Sequence, residues 1–372
     1  MTYIFYCAIS AFLVTFIVMP LLINVLTKEQ LLDVGGRRKI HRGFVPSMGG
    51  IAIFMGFLFS SLVWIPVGEL AAFRYLCGAA LLLFITGMRD DLAPLSPRGK
   101  LIMQLLATTM VVWGGGGEMG IRIVSFYGFL GIGELPLPVS YLLSVFVIIV
   151  LTNAFNLIDG LDGLAGLIGL IAFTLLAFWF LLVRDGQNHA WAMALLLIGF
   201  IGGTVAFLCY NWHPASIFMG DTGSLLLGFV LSVSSIKFLQ INGDPNFVSL
   251  YKINAPISMA VAVVIIPVFD TARIFLLRVS QGRSPFSPDK LHVHHLLMRM
   301  GLRHSQVALI LGSLYLALVG FFFLLSQKLS DNFLIPIMAV TCVGLHFLLR
   351  YLVDVVFDRK RDKVQEKIVV SV

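Results

Sequence analysis

PVSYLLSVFVIIVLTNAFNLIDGLDGLAGLIGLIAFTLLAFWFLLV, residues 138–183, is the stretch on which the fold turns. Two long apolar runs flank a short segment in which Asn153, Asn156, Asp159 and Asp162 recur every three residues. Each run comes close to the ~20 apolar residues a helix needs to cross a bilayer. Lipid offers the backbone no hydrogen-bond partners, so runs of this kind must satisfy their own amides as helices. The polar segment between them is then the place where the chain leaves hydrocarbon and turns back.

The same pattern extends along all 372 residues. Hydrophobic residues make up 59% and charged ones only 12%, and mean hydropathy is +0.96. Soluble domains carry about 25% charged residues. A water-soluble protein is therefore excluded, as are disordered, collagen-like and disulfide-scaffold classes. Eleven apolar segments can be counted, over 3–26, 47–66, 71–88, 99–115, 138–155, 163–183, 190–210, 223–240, 255–277, 306–326 and 332–353. The expected fold class is all-α, a polytopic membrane protein of about 11 transmembrane helices. Residues 1–353 read as one integral-membrane domain and 354–372 as a basic tail. Cys7, Cys77, Cys209 and Cys342 lie in apolar runs without CxxC spacing and read as packing residues.

Charge placement sets an expected orientation. One alternate set of loops holds 18 of the 26 Lys and Arg, the other holds Arg74, Arg122, Arg184, Lys252 and Lys328. Basic loops stay in the cytoplasm, which puts the N-terminus outside and the C-terminus inside. The net charge of +7 is thus a membrane-topology signal, and no nucleic-acid partner is expected. The first segment lacks a basic flank and a small-residue cleavage site, so it is expected to be retained as a span. Residues 116–138, with IRIVSFYG and GIGELPLP, read as an outer connector or a small hairpin.

The acids carry more information. Asp90, Asp91, Asp159, Asp162, Asp221, Asp270 and Asp289 fall on the expected inner side, mostly at span ends. Ionisable groups beside hydrocarbon are costly and mark function by default. In TGMRDDLAPLSPRGKLIMQ, residues 86–104, Asp90 and Asp91 point about 100° apart on a helix and should have different tasks. Lys100 and Gln104 share a face there. A capped turn with a snorkelling lysine would account for the same residues. The Asn153-to-Asp162 series would form one helical stripe if the helix continued, whereas Gly160, Gly163 and Gly166 would equally suit a loop open to a ligand.

Two further stretches point to phosphate chemistry. In NWHPASIFMGDTGSLLLGF, residues 211–229, Asp221 stands among small residues just before a span. Helix N-terminal amides hold phosphate oxygens, and Mg²⁺ takes one or two carboxylates plus substrate phosphates. In RVSQGRSPFSPDKLHVHHLLMRMG, residues 278–301, His292, His294 and His295 accompany Arg283. Zinc would need ligands from outside this run, while phosphate capture by basic and imidazole groups needs none. His189, His213, His304 and His346 stand alone in the sequence and read as structural.

MRDD, NLIDGLDG, FMGDTGS and SPFSPDKLHVHH, in that order, together resemble the polyprenyl-phosphate N-acetylhexosamine-1-phosphate transferase family. HRGFVPSMGGIAIF, residues 41–54, resembles that family's first inner loop and second span. The resemblance covers residues 27–305, and the histidine spacing is most like the undecaprenyl-phosphate N-acetylglucosaminyl-1-phosphate branch. The alternative branch transfers the muramoyl-pentapeptide phosphate, and a secondary transporter is a rival from outside the family. The resemblance implies a bacterial inner-membrane enzyme with its site facing the cytoplasm. Its expected substrates are a UDP-N-acetylhexosamine and undecaprenyl phosphate, its cofactor Mg²⁺ (with Mn²⁺ as a substitute), and its assembly a homodimer. Carried over by residue, it implies Asp221 and Asp91 at the metal and Asp90 and Asp91 in catalysis. Asn156, Asp159, Asp162, Lys100, His41, Arg42, Arg283, His292, His294 and His295 would contact substrate.

Overall fold

The computed structural model describes residues 2–29, 45–114, 120–184, 189–283 and 292–370, with the backbone alone at 70–72 and 356–370. The described residues are helical throughout their regular structure. In chain order the helices are α1 (Thr2–Lys28), α2 (Gly50–Trp64), α3 (Val67–Ala72), α4 (Arg74–Leu92) and α5 (Pro97–Gly114). Then follow α6 (Leu137–Ile158), α7 (Leu164–Leu182), α8 (Ala190–Asn211) and α9 (Gly220–Gly243). The chain closes with α10 (Pro256–Val263), α11 (Ile265–Ser280), α12 (Val293–Arg299), α13 (His304–Ser326) and α14 (Asp331–Val370).

Seven of these are long and apolar enough to cross a membrane: α1, α6, α7, α8, α9, α13 and the Asp331–Val355 part of α14. The protein is a polytopic membrane protein. Segment 255–277, expected as one span, is two helices, α10 and α11, that are together apolar and long enough for a span but bent by 80° at the break. The cause is local. Pro267 lacks an N–H and its ring clashes with the carbonyl four residues back, that of Val263, where α10 ends.

Helix α9 forms the centre: 94% of its apolar window is buried, against 22% for α1 and 17% for α14. Its small residues explain that position, because close helix approach in a membrane depends on Gly and Ser at the contact. A Cβ on Gly50 of α2 would lie 2.4 Å from the Gly223 Cα. Around α9 pack α2, α4, α6, α7 and α10. Residues 120–136 form the small hairpin: Phe126 N–H donates to the Gly133 carbonyl at 3.0 Å and Leu135 N–H to that of Val124 at 2.9 Å.

Candidate active site

The N-terminus of α9 is met there by the C-terminal ends of α4 and α6 and the start of α5. Gly87 makes the crossing with α4 possible: a Cβ there would sit 2.5 Å from the Asp221 carbonyl oxygen. One turn further, Asp91 receives the free amides that open α9. Its Oδ1 accepts from Asp221 N–H at 2.9 Å, and its Oδ2 accepts from Thr222 N–H at 2.9 Å and Thr222 Oγ1 at 2.5 Å. Such amides have no partner within their own helix, so Asp91 acts as an N-cap supplied from another helix. Burial pushes its carboxyl up to about 6, against the pull of the donors from Thr222 and Asp221. Both Asp91 oxygens thus accept from the first turn of α9.

Asp90 faces the other way, as two adjacent helical residues must. Its Oδ2 lies 2.9 Å from Lys100 Nζ, and its Oδ1 accepts from Leu95 N–H at 2.7 Å. Burial works against ionisation, but Lys100 and the Leu95 amide hold its carboxyl below the usual range. Lys100 also bonds Asp221 Oδ2. Asn156 Nδ2 donates to the other Asp221 oxygen at 3.0 Å and to Ser224 Oγ at 2.7 Å. Behind them Asn153 and Gln104 exchange two amide hydrogen bonds, 2.8 and 3.2 Å, which tie α5 to α6. Asp90, Lys100, Asp221 and Asn156 thus form one polar centre.

The expected helical stripe does not continue. Helix α6 ends at Ile158, and Asp159 takes φ −77°, ψ 52° as its C-cap. Asp162 consequently leaves the face of Asn156 and accepts from His213 Nδ1 at 2.7 Å, with His304 Nδ1 at 3.3 Å. Despite its burial, these imidazoles hold its carboxyl down to about 2. His292 Nδ1 pairs with Asp270 Oδ2 at 2.8 Å, and Asp270 Oδ1 accepts from Val293 N–H and Arg273. His294, beside Gly160, is 3% exposed, and burial pushes its imidazole down to about 3. His294 and His295 stand 4.3 Å apart, ring centroid to ring centroid.

A family model for glycosyl transferase family 4 matches residues 73–239. A probable undecaprenyl-phosphate N-acetylglucosaminyl 1-phosphate transferase of Bacillus subtilis (strain 168) is 33% identical over 326 residues, 86% of this chain and 82% of its own. The chain belongs to glycosyl transferase family 4.

Two further relatives of this family 4 chain are named undecaprenyl-phosphate alpha-N-acetylglucosaminyl 1-phosphate transferase. That of Escherichia coli (strain K12) is 31% identical over 84% of this chain and 82% of its own. That of Yersinia pestis is 31% identical over 80% and 78%. The matched family 4 region contains Asp90, Asp91, Lys100, Asn156, Asp162 and Asp221.

Sequence reasoning about this family 4 chain missed three features. His213 and His304, expected to be isolated, meet at Asp162. Asp270, noted only among the inner acids, anchors the histidine run. An apolar cavity of about 210 Å³ also opens beside Asp270 and His294, lined by Phe269, Leu297, Leu314 and Leu345 among others. The 80° bend after α10 builds one wall of it, and no periodicity in the sequence marks a cavity. Arg283 is exposed just past α11, its backbone N–H on the Arg278 carbonyl, apart from the polar centre's bonding network. His41, Arg42 and Asp289 lie outside the described residues.

Proposed function

We propose that the protein transfers N-acetylglucosamine-1-phosphate from UDP-N-acetylglucosamine to undecaprenyl phosphate, releasing UMP, with Mg²⁺ as cofactor. The observation that carries this reading is the pair of carboxylates, Asp90 and Asp221, converging on one ammonium at the α9 N-terminus. A place where two carboxylates already hold a cation suits a hard divalent ion. The side-chain oxygens there, from Asp221, Asp90 and Ser224, are the donor type Mg²⁺ prefers. Asp221 and Asp90 would hold it. When bound, it neutralises charge on the diphosphate.

The chain's own residues then position the reactants. Asn156 orients the Asp221 carboxylate, and Lys100 provides a mobile positive charge for the diphosphate. A phosphate monoester is mostly ionised at neutral pH, so the acceptor oxygen attacks the sugar-bearing phosphorus without a base. The bond to the UMP oxygen breaks as the new one forms. Asp90 would serve the ion, and in its absence pairs with Lys100, rather than forming a covalent phosphate. The aliphatic cavity beside His294 takes the first isoprene units of the acceptor. The eleven-span reading, with the N-terminus outside and this centre on the cytoplasmic side of the bacterial inner membrane, agrees with a nucleotide-sugar donor made in the cytosol.

The direct test is UMP release by the detergent-solubilised protein, given undecaprenyl phosphate and a panel of UDP-sugars. Release with UDP-N-acetylglucosamine is expected. No release with any UDP-sugar would return the secondary-transporter reading.

A further inference from the structure

Asp162, His213 and His304 come from three separate places in the chain: the turn before α7, the loop between α8 and α9, and the first residue of α13. Their ligand-type atoms nevertheless lie within 4.8 Å of one another. Both histidines present the same nitrogen, Nδ1, to the same oxygen, Asp162 Oδ2, at 2.7 and 3.3 Å. The two rings stand 4.9 Å apart at 38°. Asp162 itself is 4% exposed.

The surroundings hold this arrangement. Asn211 accepts from Gly163 N–H at 2.9 Å and donates to the Ile217 carbonyl at 2.8 Å, so one side chain joins the Asp162 turn to the His213 loop. Gly163 has φ +76°, and a Cβ there would approach the Trp212 ring at 3.0 Å. His213 remains 27% exposed, which leaves a way in for a small solute.

We propose that Asp162, His213 and His304 form a binding site for an imidazole-preferring divalent transition ion of the zinc class, separate from the Asp221 centre. Two imidazoles and one carboxylate are a ligand set for such ions and a poor one for Mg²⁺. Zinc–nitrogen bonds near 2.1 Å in a tetrahedral shell set donor atoms about 3.4 Å apart. The His304–Asp162 separation of 3.3 Å is close to that value, and the His213–Asp162 pair, at 2.7 Å, would open by about 0.7 Å. Water reaching the exposed edge of His213 would complete the shell. The ion would clip the turn after α6 to the loop that leads into α9, and so brace the polar centre without entering it.

Co²⁺ serves as the probe, with the full-length protein stripped by chelator in detergent and desalted after loading. About one tightly held Co²⁺ per chain is expected, with visible absorption of tetrahedral or five-coordinate intensity. The Asp221→Asn variant should hold it equally, so failure of the proposed transfer reaction would leave this site standing. His213→Gln with His304→Gln should lose the ion, whereas His189→Gln should keep it. If the double variant does not fold, X-ray absorption of the loaded wild type decides the matter, with two imidazole shells expected. Wild-type protein holding no Co²⁺ after desalting, a spectrum unchanged in the double variant, or a shell without imidazole would each overturn the site. The triad would then be a hydrogen-bonded brace alone.

Discussion

Asp91, the penultimate residue of α4, holds the first turn of α9 through Thr222, whose amide and hydroxyl both donate to one Asp91 oxygen at 2.9 and 2.5 Å. The two residues are 131 positions apart, and their contact fixes where Asp221 points. Loss of a capping side chain costs about 1–2 kcal/mol. Asp91→Ala is therefore expected to lower stability by that amount and to cut UMP release severely, because Asp221 loses its support. Thermal unfolding in detergent measures the first and turnover the second. A variant with wild-type melting would remove the capping role.

Asp221 and Asp90 should respond differently to loss of charge. Asp221→Asn is expected to abolish turnover and with it Mg²⁺-dependent nucleotide binding. Normal metal dependence in that variant would refute the assignment. Asp90→Asn should weaken Mg²⁺ binding yet retain a measurable fraction of turnover at high Mg²⁺, since Asp221 still holds the ion and Asp90 forms no covalent intermediate. Phosphate trapped on Asp90 in rapid-quench experiments would contradict direct attack.

Gly87→Ala separates packing from helix propensity. Alanine is the better helix former by about 1 kcal/mol, so a site with room would gain stability. Here the new methyl meets the Asp221 carbonyl oxygen at 2.5 Å, and overpacking of that kind costs about 1–3 kcal/mol. A net loss of stability is expected, with turnover falling at least tenfold. Unchanged turnover would show that the α4–α9 crossing is not tight.

His294 carries a pH signature. Its imidazole is held down to about 3, chiefly by burial. A folded value below the unfolded one means that the contribution is complete above about 6.5 and is lost as pH falls toward 3. At pH 5 the loss is on the order of 2 kcal/mol. Melting temperature should therefore fall between pH 7 and pH 5 in the wild type and less so in His294→Gln. An equally steep fall in both would place the titrating group elsewhere. The same burial keeps the His294 imidazole neutral at pH 7.

Membrane character, the places of the long helices and the polar character of the centre could be read before any coordinates. Runs of apolar residues long enough for a bilayer leave the backbone no alternative to helix, and carboxylates at span ends are too costly to be incidental. Asp90 and Asp221 stood out for that reason, Lys100 and Asn156 by their spacing, and the structure brings the four together. Tertiary structure alone decided which carboxylate does what. Asp91 caps α9 because α4 crosses it at Gly87, and Asp162 turns to two histidines because α6 stops at Ile158. Pro267 was visible in the sequence, but an 80° bend and the cavity beside it depend on what packs on either side. Local sequence determines where a helix can exist; the partners of Asp91, Asp162 and Asp221 come from contacts between residues 51 to 142 positions apart, which no local pattern records.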